Sequence, residues 1–308
     1  MQSPSCKWYN GRMLLYGLLL AALPLVGTPQ TPTVADLIAQ SVDSRIAGKD
    51  PSRSLRRLAG KLKLNPDFWG REIDFSCISP RNDRFGGMRG GVAVSLRHVL
   101  FANHFPIPVG TRLHFIGNDG EVCTCSVDAT RPVPSSDVGV GLLNAELTPN
   151  IHPAKILPDD FTNYVGTVKG LPCVVFDAES KGIVADVADI PANPKRWAAF
   201  SRLPADPGRA AFGERIVVGD SGQPCFLIVG TEPVLLYTMK MGGGGAGPAV
   251  HLLRHEIQRV MDELCPGYKL ESFDFSTVGK KKSVGTLRNA RKHEGWRYQG
   301  NYEAGRLD

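Results

Sequence analysis

Between residues 73 and 266 the apolar positions come in short runs broken by Gly and Pro, not in long helical stripes. Gly90-Gly91-Val92-Ala93-Val94 and His98-Val99-Leu100-Phe101-Ala102 alternate and then run apolar, as two strands joined by a turn would, and the second delivers His104 at its end. Ser136-Asp137-Val138-Gly139-Val140-Gly141-Leu142-Leu143 places an aspartate at the mouth of another apolar strand, and further Val/Ile/Leu runs follow at Cys173-Val174-Val175 and Val234–Met241. Helical periodicity inside this span is confined to its end, at Leu252–Leu264, so the pattern predicts an all-β core closed by a C-terminal helix. Upstream, Thr33–Ile46 reads as a short helix, followed by Gly48-Lys49-Asp50-Pro51 and the basic residues Arg53, Arg56, Arg57, Lys61 and Lys63. That stretch fits either a propeptide or an arm packed across the strands, with a solvated charged face.

Composition adds size and compartment. A chain of 308 residues that is 42% hydrophobic can bury a large core, and 34 glycines with 23 prolines suit many short strands. At the N-terminus, Lys7 and Arg12 precede the apolar run Met13–Val26 and then Gly27-Thr28-Pro29, the outline of a secretory signal peptide, or of an anchor if it stays uncleaved. Six cysteines remain beyond it: Cys77, Cys123, Cys125, Cys173, Cys225 and Cys265. An even number in an oxidising compartment is compatible with disulfides, and so are buried free thiols. From Lys280 to Asp308 there are eight Lys/Arg against three Asp/Glu, a net of +5 out of the chain's +6, which leaves the rest close to neutral. Lys280-Lys281-Lys282 with Trp296, Tyr298 and Tyr302 offer charge and stacking surfaces, but low hydrophobicity reads as a disordered tail, and no nucleic-acid function is expected.

The chemistry concentrates at Val218-Gly219-Asp220-Ser221-Gly222-Gln223-Pro224. A serine hydroxyl is a weak nucleophile that needs a neighbouring base and N–H donors for the oxyanion it creates, and a serine between tight-turning glycines can have both. His104 and Asp137, each beside an apolar strand, are candidate companions of Ser221, in the chain order His, Asp, Ser. An α/β-hydrolase elbow is excluded, because Gln223 stands where its second glycine belongs and that fold orders its triad differently. His251 and His255 sit four apart before and on the terminal helix, but no HExxH pattern forms, and they read as surface residues; no metal or other cofactor is expected.

Gly219-Asp220-Ser221-Gly222 followed one residue later by Pro224, Ala102-Asn103-His104, Asp137-Val138-Gly139-Val140 and the glycine-rich Gly242–Val250 together resemble the trypsin-like (chymotrypsin-fold) serine proteases over residues 73 to 265. The resemblance implies two six-stranded antiparallel β-barrels with a C-terminal helix, and a division into a signal peptide (1–28), an N-terminal arm or propeptide (29–72), a protease domain (73–266) and a basic tail (267–308). It implies a secreted or periplasmic serine endopeptidase, acting on protein or peptide substrates as a monomer, with Ser221 as nucleophile, His104 as base, Asp137 as its orienter and the N–H groups of Gly219 and Ser221 as oxyanion hole. The alternative is a protease-like fold that binds peptides or envelope polymers without turnover. Phe105 replaces the cysteine common after the histidine in animal members, and no activation site stands before the strands, so Asp220 needs a partner other than a freed N-terminus. By the resemblance, Cys173 and Cys225 pair as a disulfide, and Arg215, Val218, Lys240, Met241 and Gly242 border the substrate. Arg215 takes the place of a trypsin's acidic pocket floor. Pointing in, it pairs with an acidic side chain; pointing out, it leaves a site lined by Ile216, Val218 and Met241 for small or apolar side chains, the reading favoured because an unpaired buried cation is costly. Lys240, or Thr238 after a small shift, lies where the family carries a small hydroxyl residue behind the aspartate.

Overall fold

A computed structural model of the chain describes residues 31–58, 61–79, 81–82, 89–193 and 196–278. The expected signal peptide (1–28) and the basic stretch from Lys280 onward lie outside them. The rest is mostly β. Helix α1 (Val34–Ile46) begins the described chain. Strands β1 (Leu55–Leu58), β2 (Lys61–Leu64), β3 (Ile78–Ser79), β4 (Arg81–Asn82), β5 (Gly91–Ala93), β6 (His98–Ala102), β7 (Arg112–Ile116), β8 (Val122–Pro132), β9 (Val138–Leu143) and β10 (Lys155–Ile156) follow. After the single turn α2 (Thr162–Val165) come β11 (Pro172–Phe176), β12 (Gly182–Asp189) and β13 (Ala198–Arg202), a second turn α3 (Pro207–Ala210), then β14 (Pro224–Val229), β15 (Glu232–Thr238), β16 (Ala246–Pro248) and the terminal helix α4 (Arg254–Leu264).

The first group of strands runs β3-β5-β6-β9-β8-β7-β4, all antiparallel. Its two edge strands are successive in the chain, and together they count as one side of a nearly closed six-stranded barrel. Fully buried β9 sits at its centre, and its glycines follow from what faces them. Gly139 pairs with Phe101 and Gly141 with Val99 on β6, and a Cβ on Gly139 would overlap the Phe101 ring. The aromatic ring takes the volume a side chain on β9 would need.

The second group is a seven-stranded sheet, β10-β15-β14-β11-β12-β13-β16, in which β10 is parallel to β15 and the rest pair antiparallel. The expectation of two equal six-stranded barrels is therefore met only in part: one nearly closed barrel and one sheet with a parallel member. Next to the sheet's far edge, the chain flanking β16 returns to the β15 side through the bridges Tyr237↔Ala249 and Met241↔Ala246.

The described residues from 32 onward form one compact unit that includes α1 and the β1–β2 strands. Thr33 caps α1 in a reciprocal box with Asp36, which fixes the helix start where the sequence places it. Asp43 on this helix makes two 2.7 Å bonds to Arg209, whose guanidinium also reaches buried Asp186 at 3.0 Å. Ser41 Oγ accepts from Gly230 N at 2.9 Å. The basic stretch forms the β1–β2 hairpin, which the sequence pattern does not announce. Beyond residue 266, Leu270, Phe273 and Phe275 are buried with the core residues of the strands.

All six cysteines among the described residues are free, Cys173 and Cys225 included, and none stands at disulfide distance from another. On the paired strands β11 and β14, Cys173 faces Leu227 and Cys225 faces Val175, so the two are diagonal neighbours. Diagonal positions stand roughly 7–8 Å apart, beyond the usual disulfide reach. The neighbouring Cys225 thiol together with burial holds the Cys173 pKa well above the usual thiol range.

Candidate active site

Three loop positions at strand ends converge. His104 stands two residues past β6, Asp137 immediately before β9, and Ser221 three residues before β14. Asn103 N donates to Asp137 O at 2.7 Å, a backbone link that extends the β6–β9 pairing and brings the first two together. The Asp137 carboxylate accepts from His104 N at 2.9 Å and meets His104 Nδ1 at 2.7 Å. His104 Nε2 lies 2.9 Å from Ser221 Oγ. With the imidazole donating Nδ1–H to Asp137, Nε2 is left as acceptor for the serine O–H. The Asp137 side chain is 9% exposed and the His104 side chain 44%, so the carboxylate is sheltered while the base faces the cleft.

The serine turn is held from three directions. Gly219 has φ +108° and Gly222 φ +87°, conformations that L side chains rarely adopt, and a Cβ on Gly222 would stand 3.2 Å from Ala102 N. Gly222 N donates to Met239 O and Met239 N to Gln223 O, both at 2.8 Å, tying the turn to the end of β15. Asp220 is buried, and its carboxylate accepts from Val217 N and from Ala178 N, each at 2.9 Å. That is the partner the sequence left open. It comes from the β11–β12 turn, where Asp177 in its own right accepts from Glu179 N and Lys181 N at 2.8 Å. Burial pushes the Asp177 carboxyl up, against the backbone bond from Lys181. Among the described residues, the N–H groups of Gly219 and Ser221 donate to no other backbone group.

His104, Phe105, Ile216, Val217, Val218, Gly219, Ser221, Lys240 and Gly242 line one open cleft of about 710 Å³. Of the residues expected to border the substrate, Val218, Lys240 and Gly242 are therefore present. Arg215 is exposed and lies outside the lining, so it is not a pocket floor, and Met241 is half-exposed and also outside it. The Lys240 ammonium stands 4.9 Å over the Trp197 ring. Thr238, the other candidate for that place, is buried. Phe105, which takes the place of a fastening cysteine, carries the Arg89 guanidinium 4.4 Å over its ring, and Arg89 also donates to Pro106 O at 2.5 Å. Arg89, Trp197 and Ala178 escaped the sequence reading because nothing local to them marks a role.

His251 is a correction of another kind. It is buried, donates Nε2–H to Pro191 O at 3.0 Å, and meets Phe161 edge-on, so it is a core residue and not a surface one. Burial lowers its pKa. No family model matches this chain, and no curated protein matches it.

Proposed function

We propose that the chain is a serine endopeptidase of the chymotrypsin fold type, its seven-stranded sheet standing for the second barrel. The observation that carries the reading is the unbroken relay Asp137–His104–Ser221, with contacts of 2.7 and 2.9 Å between residues 33 and 117 positions apart in sequence. Ser221 Oγ attacks a peptide carbonyl while His104 Nε2 takes its proton; the same nitrogen returns the proton to the leaving amine, and water repeats the cycle on the acyl-enzyme. Asp137 holds the tautomer and balances the imidazolium. The Gly219 and Ser221 N–H groups receive the oxyanion, where one such donor is worth about 3–4 kcal/mol of barrier. Asp220 keeps that turn in place through backbone amides, so the reading requires no freed N-terminus.

A binding role without turnover is less well supported. Lys240 points its charge at Trp197, and no residue of the described N-terminal arm lines the cleft. Export to an oxidising compartment rests on the Met13–Val26 segment alone. A fluorophosphonate probe tests the assignment: it labels the wild-type protein on Ser221 and leaves Ser221→Ala unlabelled and inactive on casein. A Ser221→Ala protein as active as wild type would overturn it.

A further inference from the structure

The open cleft beside the nucleophile is bordered on one flank by two backbone strips that are joined to each other. His104 Nε2 has to reach the leaving nitrogen, so the leaving group lies over the His104–Phe105 flank. The side chain on the acyl side then falls on the opposite flank, made of Ile216–Gly219, Lys240 and Gly242. A deep specificity pocket would have to open between these two strips. They are joined instead: Ile216 N donates to Gly243 O and Gly243 N to Ile216 O, both at 2.9 Å, as an antiparallel bridge. A Cβ on Gly242 would already stand 2.8 Å from Ile216 O.

The spacing decides what fits. Hydrogen-bonded backbones lie about 4.8 Å apart. A side chain inserted between two backbones needs roughly 7–8 Å, twice a carbon contact of about 3.5–4.0 Å. The Gly242–Gly245 turn cannot retreat to make that room. Met241 and Ala246 exchange backbone bonds of 3.0 and 3.2 Å across it, and a Cβ on Gly244 would meet Ser201 O at 2.7 Å, so the turn is packed from behind.

We infer that the residue on the acyl side of the scissile bond is glycine, alanine or serine, resting on a shallow floor formed by the joined Ile216 and Gly243 backbones. This rests on the reading of Ser221 as nucleophile. The floor excludes bulk on any chemistry, so aromatic, long aliphatic, basic and acidic side chains are rejected alike.

The test uses the wild-type protein with two kinds of probe. A small fluorophosphonate, which has no acyl-side residue, reports whether Ser221 reacts. A series of peptidyl phosphonates identical except for a terminal Gly, Ala, Val, Leu, Phe, Lys or Glu analogue reports what the floor admits. Labelling by the first, with inactivation rates falling on the order of 100-fold from Ala to Phe, Lys and Glu, is the expected result. Labelling by the first together with faster reaction of the Phe, Leu, Lys or Glu members overturns the shallow floor and leaves the hydrolase reading standing. No labelling of Ser221 by the small probe overturns both.

Discussion

Asp220 offers the sharpest test of how the nucleophile turn is held. Its buried carboxylate accepts two backbone N–H bonds of 2.9 Å, from Val217 in its own loop and from Ala178 in the β11–β12 turn. Asp220→Asn preserves shape and keeps one acceptor oxygen, but it turns an NH₂ group toward the second N–H. A buried donor left unpaired costs about 1–3 kcal/mol, and bonds to a charged acceptor lie in the upper part of that range. The loss is therefore about 2–3 kcal/mol, and it falls on the turn that carries Gly219 and Ser221. Relaxation of that turn moves the oxyanion donors, so kcat/KM on an activated ester drops on the order of 100-fold or more. The assay pairs ester turnover with urea unfolding: the midpoint should shift by an amount matching about 2–3 kcal/mol at unchanged slope, while kcat falls further than KM rises. A folded Asp220→Asn protein with turnover within about threefold of wild type would refute the argument that these two amides position the oxyanion hole.

Three other outcomes follow from the same structure. Asp137→Asn keeps a group at the Nδ1 side of His104 but holds the wrong tautomer, so kcat on peptide or ester substrates falls by about 10³–10⁴ while circular dichroism is unchanged; near-normal activity would remove Asp137 from the relay. Burial holds the His98 pKa at about 4 against an ordinary 6.5, which means the unfolded chain takes up this proton first. Stability is accordingly level above pH 6.5, declines between 6.5 and 4 by about 3 kcal/mol from this group, and levels off below; a His98→Gln protein whose melting temperature declines as steeply over that window would contradict it. Arg209→Met strands buried Asp186 without its cation and releases Asp43, costing about 3–5 kcal/mol, and limited proteolysis should then cut ahead of β1 faster than in wild type.

Local patterns settled much of this protein without tertiary information. The Thr33–Ile46 pattern marks α1, the Leu252–Leu264 periodicity marks α4, and the apolar runs around residues 98–102, 138–143 and 234–238 mark strands, because periodicity and alternation are properties of neighbours in sequence. The same locality made His104, Asp137 and Ser221 recognisable as a set, since each sits beside its own strand in a motif of a few residues. What only the tertiary structure decided depends on which distant backbone groups meet. Ala178 supplies the partner for Asp220 because the β11–β12 turn folds under the serine loop. Cys173 and Cys225 are on adjacent strands, as position suggested, but the register sets them on a diagonal, and a shift of two residues is invisible in either strand alone. Arg215 faces solvent, and Ile216 is joined to Gly243, because the glycine turn at 242–245 is short enough to bring its backbone into hydrogen-bonding distance. Sequence could name the residues around the nucleophile; the depth of the site is set by the distance between two backbones, a quantity no side-chain pattern encodes.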